Sequence, residues 1–212
     1  MPIWPEHSIA VRSPCTQSRD RPLRNLLLVL GLLISQAVLA DPSNVQSVIA
    51  AARAQIGVTT GYDGSYRRLE YPNGDVPIAT GVCTDVVIRA LRAIGIDLQR
   101  EVHQDRKRHP ELYPQRWRDR RADRSIDHRR VPNLQAWFAQ HADSFAPSID
   151  SAAYHAGDIV SWKLPGNLDH IGIVSDRRVD NRPLILHNIG RGTQEEDVLL
   201  VWPISGHYRL RQ

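Results

Sequence analysis

One cysteine and two histidines in this 212-residue chain have the types and positions that thiol chemistry needs. Cys83 follows Thr80-Gly81-Val82 and precedes Thr84-Asp85-Val86-Val87-Ile88-Arg89-Ala90-Leu91-Arg92-Ala93-Ile94-Gly95. Val86, Val87, Ala90, Leu91 and Ile94 recur at helical spacing, Gly95 stands where a C-terminal cap belongs, and Thr80-Gly81 breaks the chain before the first turn. The spacing therefore predicts Cys83 at a helix N-terminus. Unsatisfied N–H groups and the dipole of a first turn stabilise an anion, which lowers a thiol's pKa and favours the nucleophilic thiolate. The plainer reading of the same position is a small apolar residue on the helix's buried face.

A thiol nucleophile needs a base to take its proton and a third group to hold that base in one tautomer. His170 opens the apolar run His170-Ile171-Gly172-Ile173-Val174, and His187 closes Leu184-Ile185-Leu186-His187, with the turn residues Asp180-Asn181 between them. In an antiparallel pair joined by that turn, the start of the first strand lies near the end of the second. The two histidines become cross-strand neighbours, about 5 Å apart at Cβ if they share a face.

The elements that must position these residues follow from pattern. Ser43 to Ile56 carries Val45, Val48, Ile49, Ala52 and Ile56 on one stripe, with Gly57 as cap, and reads as a packing helix. From Val58 to Thr80 periodicity vanishes and Gly, Tyr, Asn and Pro dominate. A loop of that length, running directly into Cys83, is expected to wall a cleft with Tyr62, Tyr66 and Tyr71. Between Arg100 and Arg130 stand eleven lysines and arginines against six acids. Such a run is a solvated surface or, for individual arginines, a place to grip substrate carboxylates. Val131-Pro132-Asn133 opens a further helix, with Asn133 as expected N-cap and Leu134, Trp137, Phe138 and His141 on one face. After Ala146 the pattern turns to short strands at Asp158–Trp162, His170–Val174, Leu184–His187 and Val198–Trp202. Strands this closely spaced must be antiparallel, so the expected fold class is α+β, helices first and a meander after.

The first 40 residues stand apart. Arg19, Arg21 and Arg24 lead into Leu26–Ile34 and then Ala37-Val38-Leu39-Ala40, the layout of a secretory signal with cleavage after Ala40 and too short an apolar run for a comfortable span. The expectation is an exported, periplasmic protein with residues 41–212 as one domain. Removal of the leader takes away Cys15 and leaves Cys83 as the sole cysteine, which in an oxidising compartment flags a reactive thiol or an intermolecular bridge. The whole chain has 27 basic residues against 23 acids. The leader holds four of those arginines with only Glu6 and Asp20, so the remainder is closer still to balance, which argues against nucleic acid as a partner.

Gly157-Asp158-Ile159-Val160, Asp169-His170-Ile171-Gly172-Ile173-Val174 and Ile185-Leu186-His187, downstream of a helix-borne Cys83, resemble the strand pattern of the NlpC-type cell-wall peptidases of the papain-like superfamily. Ile126-Asp127-His128-Arg129-Arg130-Val131-Pro132-Asn133-Leu134, together with His170–Asp176 and Leu186-His187-Asn188-Ile189-Gly190, resembles an exported bacterial family, domain of unknown function 1287. The resemblance implies a papain-like thiol hydrolase of amide bonds, with peptidoglycan stem peptides as substrate and no cofactor. Cys83 would be nucleophile, His170 base and His187 orienting residue. Tyr71, Asp85, His128, Arg129, Arg130, Asp169 and Asn188 would contact substrate. Two features depart from the NlpC pattern: Val82 precedes the cysteine where Asp is usual, and Thr84-Asp85 follow where small residues are usual. Two other readings stay open. One is a wall-binding module in which Cys83 is only core. The other is a metal-dependent hydrolase using His170, His187 and Asp169, although no His-Glu-x-x-His spacing is present.

Overall fold

The computed structural model describes residues 42–115 and 121–211. The leader, with its expected export and cleavage, lies outside them, as do residues 116–120 of the basic segment. Among the described residues no helix is long and apolar enough to cross a membrane.

Helix α1 (Pro42–Arg53) leads into a short parallel pairing of β1 (Gly61–Tyr62) with β2 (Thr80–Gly81), and β2 delivers the chain to α2 (Cys83–Arg92). Helices α3 (Leu98–Arg108) and α4 (Val131–His141) follow, then β3 (Ala142–Phe145), β4 (Ile159–Leu164), β5 (Leu168–Val179), β6 (Arg182–Asn188), β7 (Thr193–Glu196) and β8 (Ile204–Leu210). The fold is α+β. Strands β3 to β8 form one six-stranded sheet in the order β3-β8-β4-β5-β6-β7, and every neighbouring pair is antiparallel.

The sheet separates two apolar layers because side chains alternate along each strand. Ile159, Ile171, Ile173 and Leu186 face the helices and pack with Ile49 of α1, Val86, Val87 and Leu91 of α2, and Leu134 and Phe138 of α4. On the other side Val160, Trp162, Val174 and Ile185 meet Tyr154 and Leu199. Helix α2 is central because its buried residues run nearly all round: Val86, Val87, Ala90 and Leu91 are wholly buried, and full burial of a Val or Leu side chain stabilises by about 1.5–3 kcal/mol. Gly95, at φ +80°, ends it as expected, and Ile96 N–H donates back to the Leu91 carbonyl.

The strand expected at Val198–Trp202 is not one. Leu199 instead plugs the second apolar layer and its carbonyl accepts the Trp162 indole N–H at 2.8 Å, while the Pro203 carbonyl accepts Lys163 N–H. An apolar run long enough for a strand thus serves as a cover. The short strand β3, the polar strand β7 and the Gly-, His- and Tyr-containing β8 were the sheet members outside the expected pattern. Nor is Asn133 an N-cap: α4 starts at Val131 with Pro132 in its first turn, where a missing N–H costs nothing, and the buried Asn133 amide donates to the Asp127 carbonyl at 3.0 Å. Between β4 and β8, the wholly buried Asp158 holds His207 at 2.6 Å and Arg209 at 2.7 Å, a satisfied ionic lock in the sheet.

Candidate active site

Cys83 is the first residue of α2, 4% exposed. Its thiol is the meeting point of three elements. The backbone amides of Ile171 on β5 and of Cys83 and Thr84 in the helix's own first turn favour the ionised sulfur, and on β1 the Tyr62 hydroxyl feels the sulfur beside it. The Ile171 contact sets the sulfur against the peptide that joins His170 to Ile171.

Sequence reasoning anticipated a lowered thiol pKa, and here the structure corrects it. Burial pushes the Cys83 thiol up to about 12, and the nearby Asp85 carboxylate adds to the rise; the Ile171, Thr84 and Cys83 amides pull the other way and lose. Desolvation of a fully enclosed sulfur outweighs three partial dipoles. Tyr62 is likewise held up to about 12, by burial of its hydroxyl end and by Cys83 and Asp85 beside it, although 48% of the residue's surface is exposed.

His170 and His187 do meet. The register pairs Ile173 with Leu186, which sets His187 across from Gly172, so the two histidines are diagonal neighbours on one face and not directly opposed. Their bond, His170 Nε2 to His187 Nδ1, is 2.8 Å. Gly172 is what makes room: a Cβ there would lie 3.1 Å from His187 Cβ and 2.7 Å from Ile185 Cγ2. Beyond them, His187 Nε2 reaches Glu196 Oε2 on β7 at 3.0 Å, and Glu196 Oε1 accepts from Arg191 at 2.8 Å. Burial lowers His170 to about 3, reinforced by His187, and lowers His187 as well, against the pull of Glu196. Thiol and imidazole are therefore both neutral near pH 7.

The residues named for substrate contact take up other positions. Asp85 and Arg129 are buried and grip each other at 3.0 and 2.9 Å; Asp85 Oδ2 also accepts Val82 N–H at 2.7 Å, closing the helix start. Arg129 continues to the carbonyls of Asp63 and Ser65, so one guanidinium ties the Tyr62 segment to the Cys83 helix. Asn188, wholly buried, donates to both Gly61 and Gly81 carbonyls at 3.2 Å and clamps β1 to β2. These three tie the segments on either side of Cys83 to one another. His128 is buried, Arg130 bonds Asp127 at 3.2 Å, and Tyr71 stands edge-on to His103 with Arg124 over its ring. Asp169 projects from the face of β5 opposite His170 and bonds Lys163, so it does not join the two histidines at one point.

One residue of the site, Glu196, escaped the sequence reading. Of the three tyrosines expected to wall the cleft, Tyr62 and not Tyr71 is the one beside the thiol, brought there by the β1–β2 pairing. Glu196 sits in a polar strand without apolar alternation; a Glu nine residues after His187 carries no signal until β6 and β7 pair His187 with Gln194 and Leu186 with Glu195.

Residues 49–210 match the family described as a domain of unknown function, DUF1287. The chain belongs to that family. Among curated relatives, the uncharacterized protein YijF of Escherichia coli (strain K12) is 51% identical over 178 residues, which cover 83% of this chain and 87% of YijF. Among solved structures, NlpC1 from Trichomonas vaginalis is 12% identical with a TM-score of 0.43, over 82% of this chain and 46% of its own length. An N-acetylmuramoyl-L-alanine amidase from Bacteroides uniformis is 13% identical with a TM-score of 0.45, over 80% of this chain and all of the amidase. This DUF1287 chain thus spans about half of the NlpC1 structure.

Proposed function

We propose that this DUF1287 protein is an exported cysteine hydrolase of amide bonds, acting in the periplasm on peptidoglycan stem peptides after its leader is cleaved near Ala40. The observation that carries the reading is that the Cys83 sulfur interacts with the backbone of Ile171, the residue next in the chain to His170, whose ring is bonded to His187. In the reaction His170 takes the thiol proton as Sγ attacks the amide carbonyl carbon, and first-turn N–H groups of α2 stabilise the oxyanion. The imidazolium returns that proton to the leaving nitrogen, the C–N bond breaks, and a thioester remains. Water attacks the thioester with His170 as base, releasing the acid and restoring the thiol.

Both groups are neutral in the resting protein, and because a general base works best with a pKa near the working pH, the scheme requires substrate binding to relieve the burial that holds His170 low and Cys83 high. The burial of Cys83 and the upward shift of its thiol support a second reading, a wall-binding module without chemistry. One experiment separates them: the mature protein and Cys83→Ser are incubated with defined muropeptides and products are read by mass spectrometry. Cleaved stem peptide from wild type, with a loss on the order of a thousandfold in the variant, is the expected result. Muropeptide binding without any product from either protein leaves the module reading.

A further inference from the structure

Glu196 stands at the far end of a chain of hydrogen bonds that begins at the His170 ring, and its chemistry decides which nitrogen of each histidine carries a proton. An ionised carboxylate has only acceptor positions, and here one of its oxygens already accepts from Arg191 at 2.8 Å. The other oxygen, 3.0 Å from His187 Nε2, must then receive a proton from that nitrogen. A neutral imidazole has one N–H, so His187 Nδ1 is left as an acceptor. That acceptor is 2.8 Å from His170 Nε2, which therefore donates, and His170 Nδ1 is left with the lone pair.

We propose that Glu196 is a positioning residue that sets the Nε2–H tautomer of both His187 and His170, and so makes His170 Nδ1 the nitrogen that takes the thiol proton. The inference rests on the hydrolase reading for its catalytic meaning, but the tautomers are a property of the resting protein. Burial gives the arrangement its force. His187 is wholly buried and His170 is 2% exposed, so water cannot supply an alternative partner at either shared nitrogen. Arg191 in turn holds Glu196 from the solvent side, its own side chain 76% exposed. The relay thus runs from the exposed Arg191 through Glu196 and His187 to the His170 ring.

The test is long-range proton–nitrogen correlation spectra of nitrogen-labelled histidine rings in the mature protein at pH 7, assigned with His170→Gln and His187→Gln. The expected spectrum has pyrrole-type Nε2 and pyridine-type Nδ1 on both rings. In Glu196→Gln the amide oxygen still accepts and the tautomers persist; in Glu196→Leu the preference is lost and His187 shows both forms. Turnover should fall about tenfold in Glu196→Leu with KM unchanged, and recover in Glu196→Gln. A wild-type spectrum with the proton on His187 Nδ1 overturns the proposal, whether or not either variant folds, as does an unchanged spectrum in a folded Glu196→Leu. If the tautomers are as stated and no muropeptide is cleaved, the relay stands and the hydrolase reading is what fails.

Discussion

At the scale of single residues, the position of Cys83 poses two opposed tendencies. A helix N-terminus draws a thiol toward ionisation, and three N–H groups around the sulfur represent that tendency. Enclosure wins, because an ion loses far more on leaving water than a few partial charges return. The thiol of the resting protein should accordingly alkylate slowly with iodoacetamide, at a rate that still climbs between pH 7 and pH 9. Tyr62, which lies beside the thiol and is half-exposed, acts as the cover. Tyr62→Ala should speed alkylation severalfold at every pH by admitting water and reagent. A rate that levels off by pH 6 would mean a preformed thiolate and contradict this account of the site.

At the scale of elements, the site is held by ties that cross between segments far apart in the chain. Arg129 has four partners: the Asp85 carboxylate at the start of α2, two carbonyls of the segment after β1, and, through its own carbonyl, the Thr84 hydroxyl. Removing one member of a buried ion pair leaves the other uncompensated, at about 3–5 kcal/mol. Arg129→Met should lower urea-unfolding stability by about that amount. The double variant Asp85→Asn/Arg129→Met should cost less than Arg129→Met alone, since Asn still accepts Val82 N–H and buries no charge. Equal costs for the single and double variants would show that the guanidinium acts only through its carbonyl contacts. The contrast with the exposed pair of Arg100 and Glu101, also in the basic segment, follows from solvent screening at the surface.

At the scale of the whole molecule, burial of imidazoles couples stability to pH. His170 and His128 are both lowered to about 3 by burial, while an unfolded histidine titrates near 6.5. Between those values the unfolded chain binds more protons, so stability is complete above about pH 6.5 and is lost as pH falls. Each ring withdraws on the order of 2 kcal/mol by pH 5, and His187 and His103 shift in the same direction. Asp127, raised by burial, works oppositely, but only where carboxylates titrate, and the lowered acids Asp158 and Glu195 add to the acid loss there. The urea midpoint should therefore drop clearly from pH 7.5 to pH 5. An unchanged midpoint would falsify the assignment of neutral, buried rings.

What the residues alone determined was local. The apolar stripe of α2, its closing Gly95, the β-branched runs of β4, β5 and β6 and the turn at Asp180-Asn181 each follow from short-range pattern, and together they dictated helices packed on antiparallel strands. They also brought His170 and His187 together, because a hairpin joins them within the chain. The partners that depend on distant pairing were decided only by the tertiary structure. Tyr62 comes beside the thiol through the two-residue pairing of β1 with β2, Glu196 meets His187 through the polar strand β7, and β8, although Ile204, Tyr208 and Leu210 alternate along it with Ser205, His207 and Arg209, finds its place between β3 and β4 only in the assembled sheet. Asp85, Arg129 and Asn188 were legible as residues of consequence, but whether such groups meet a ligand or one another is settled by burial. Burial also reversed the charge state of Cys83, for desolvation is a property of everything that surrounds a group and is not written in its neighbours along the chain.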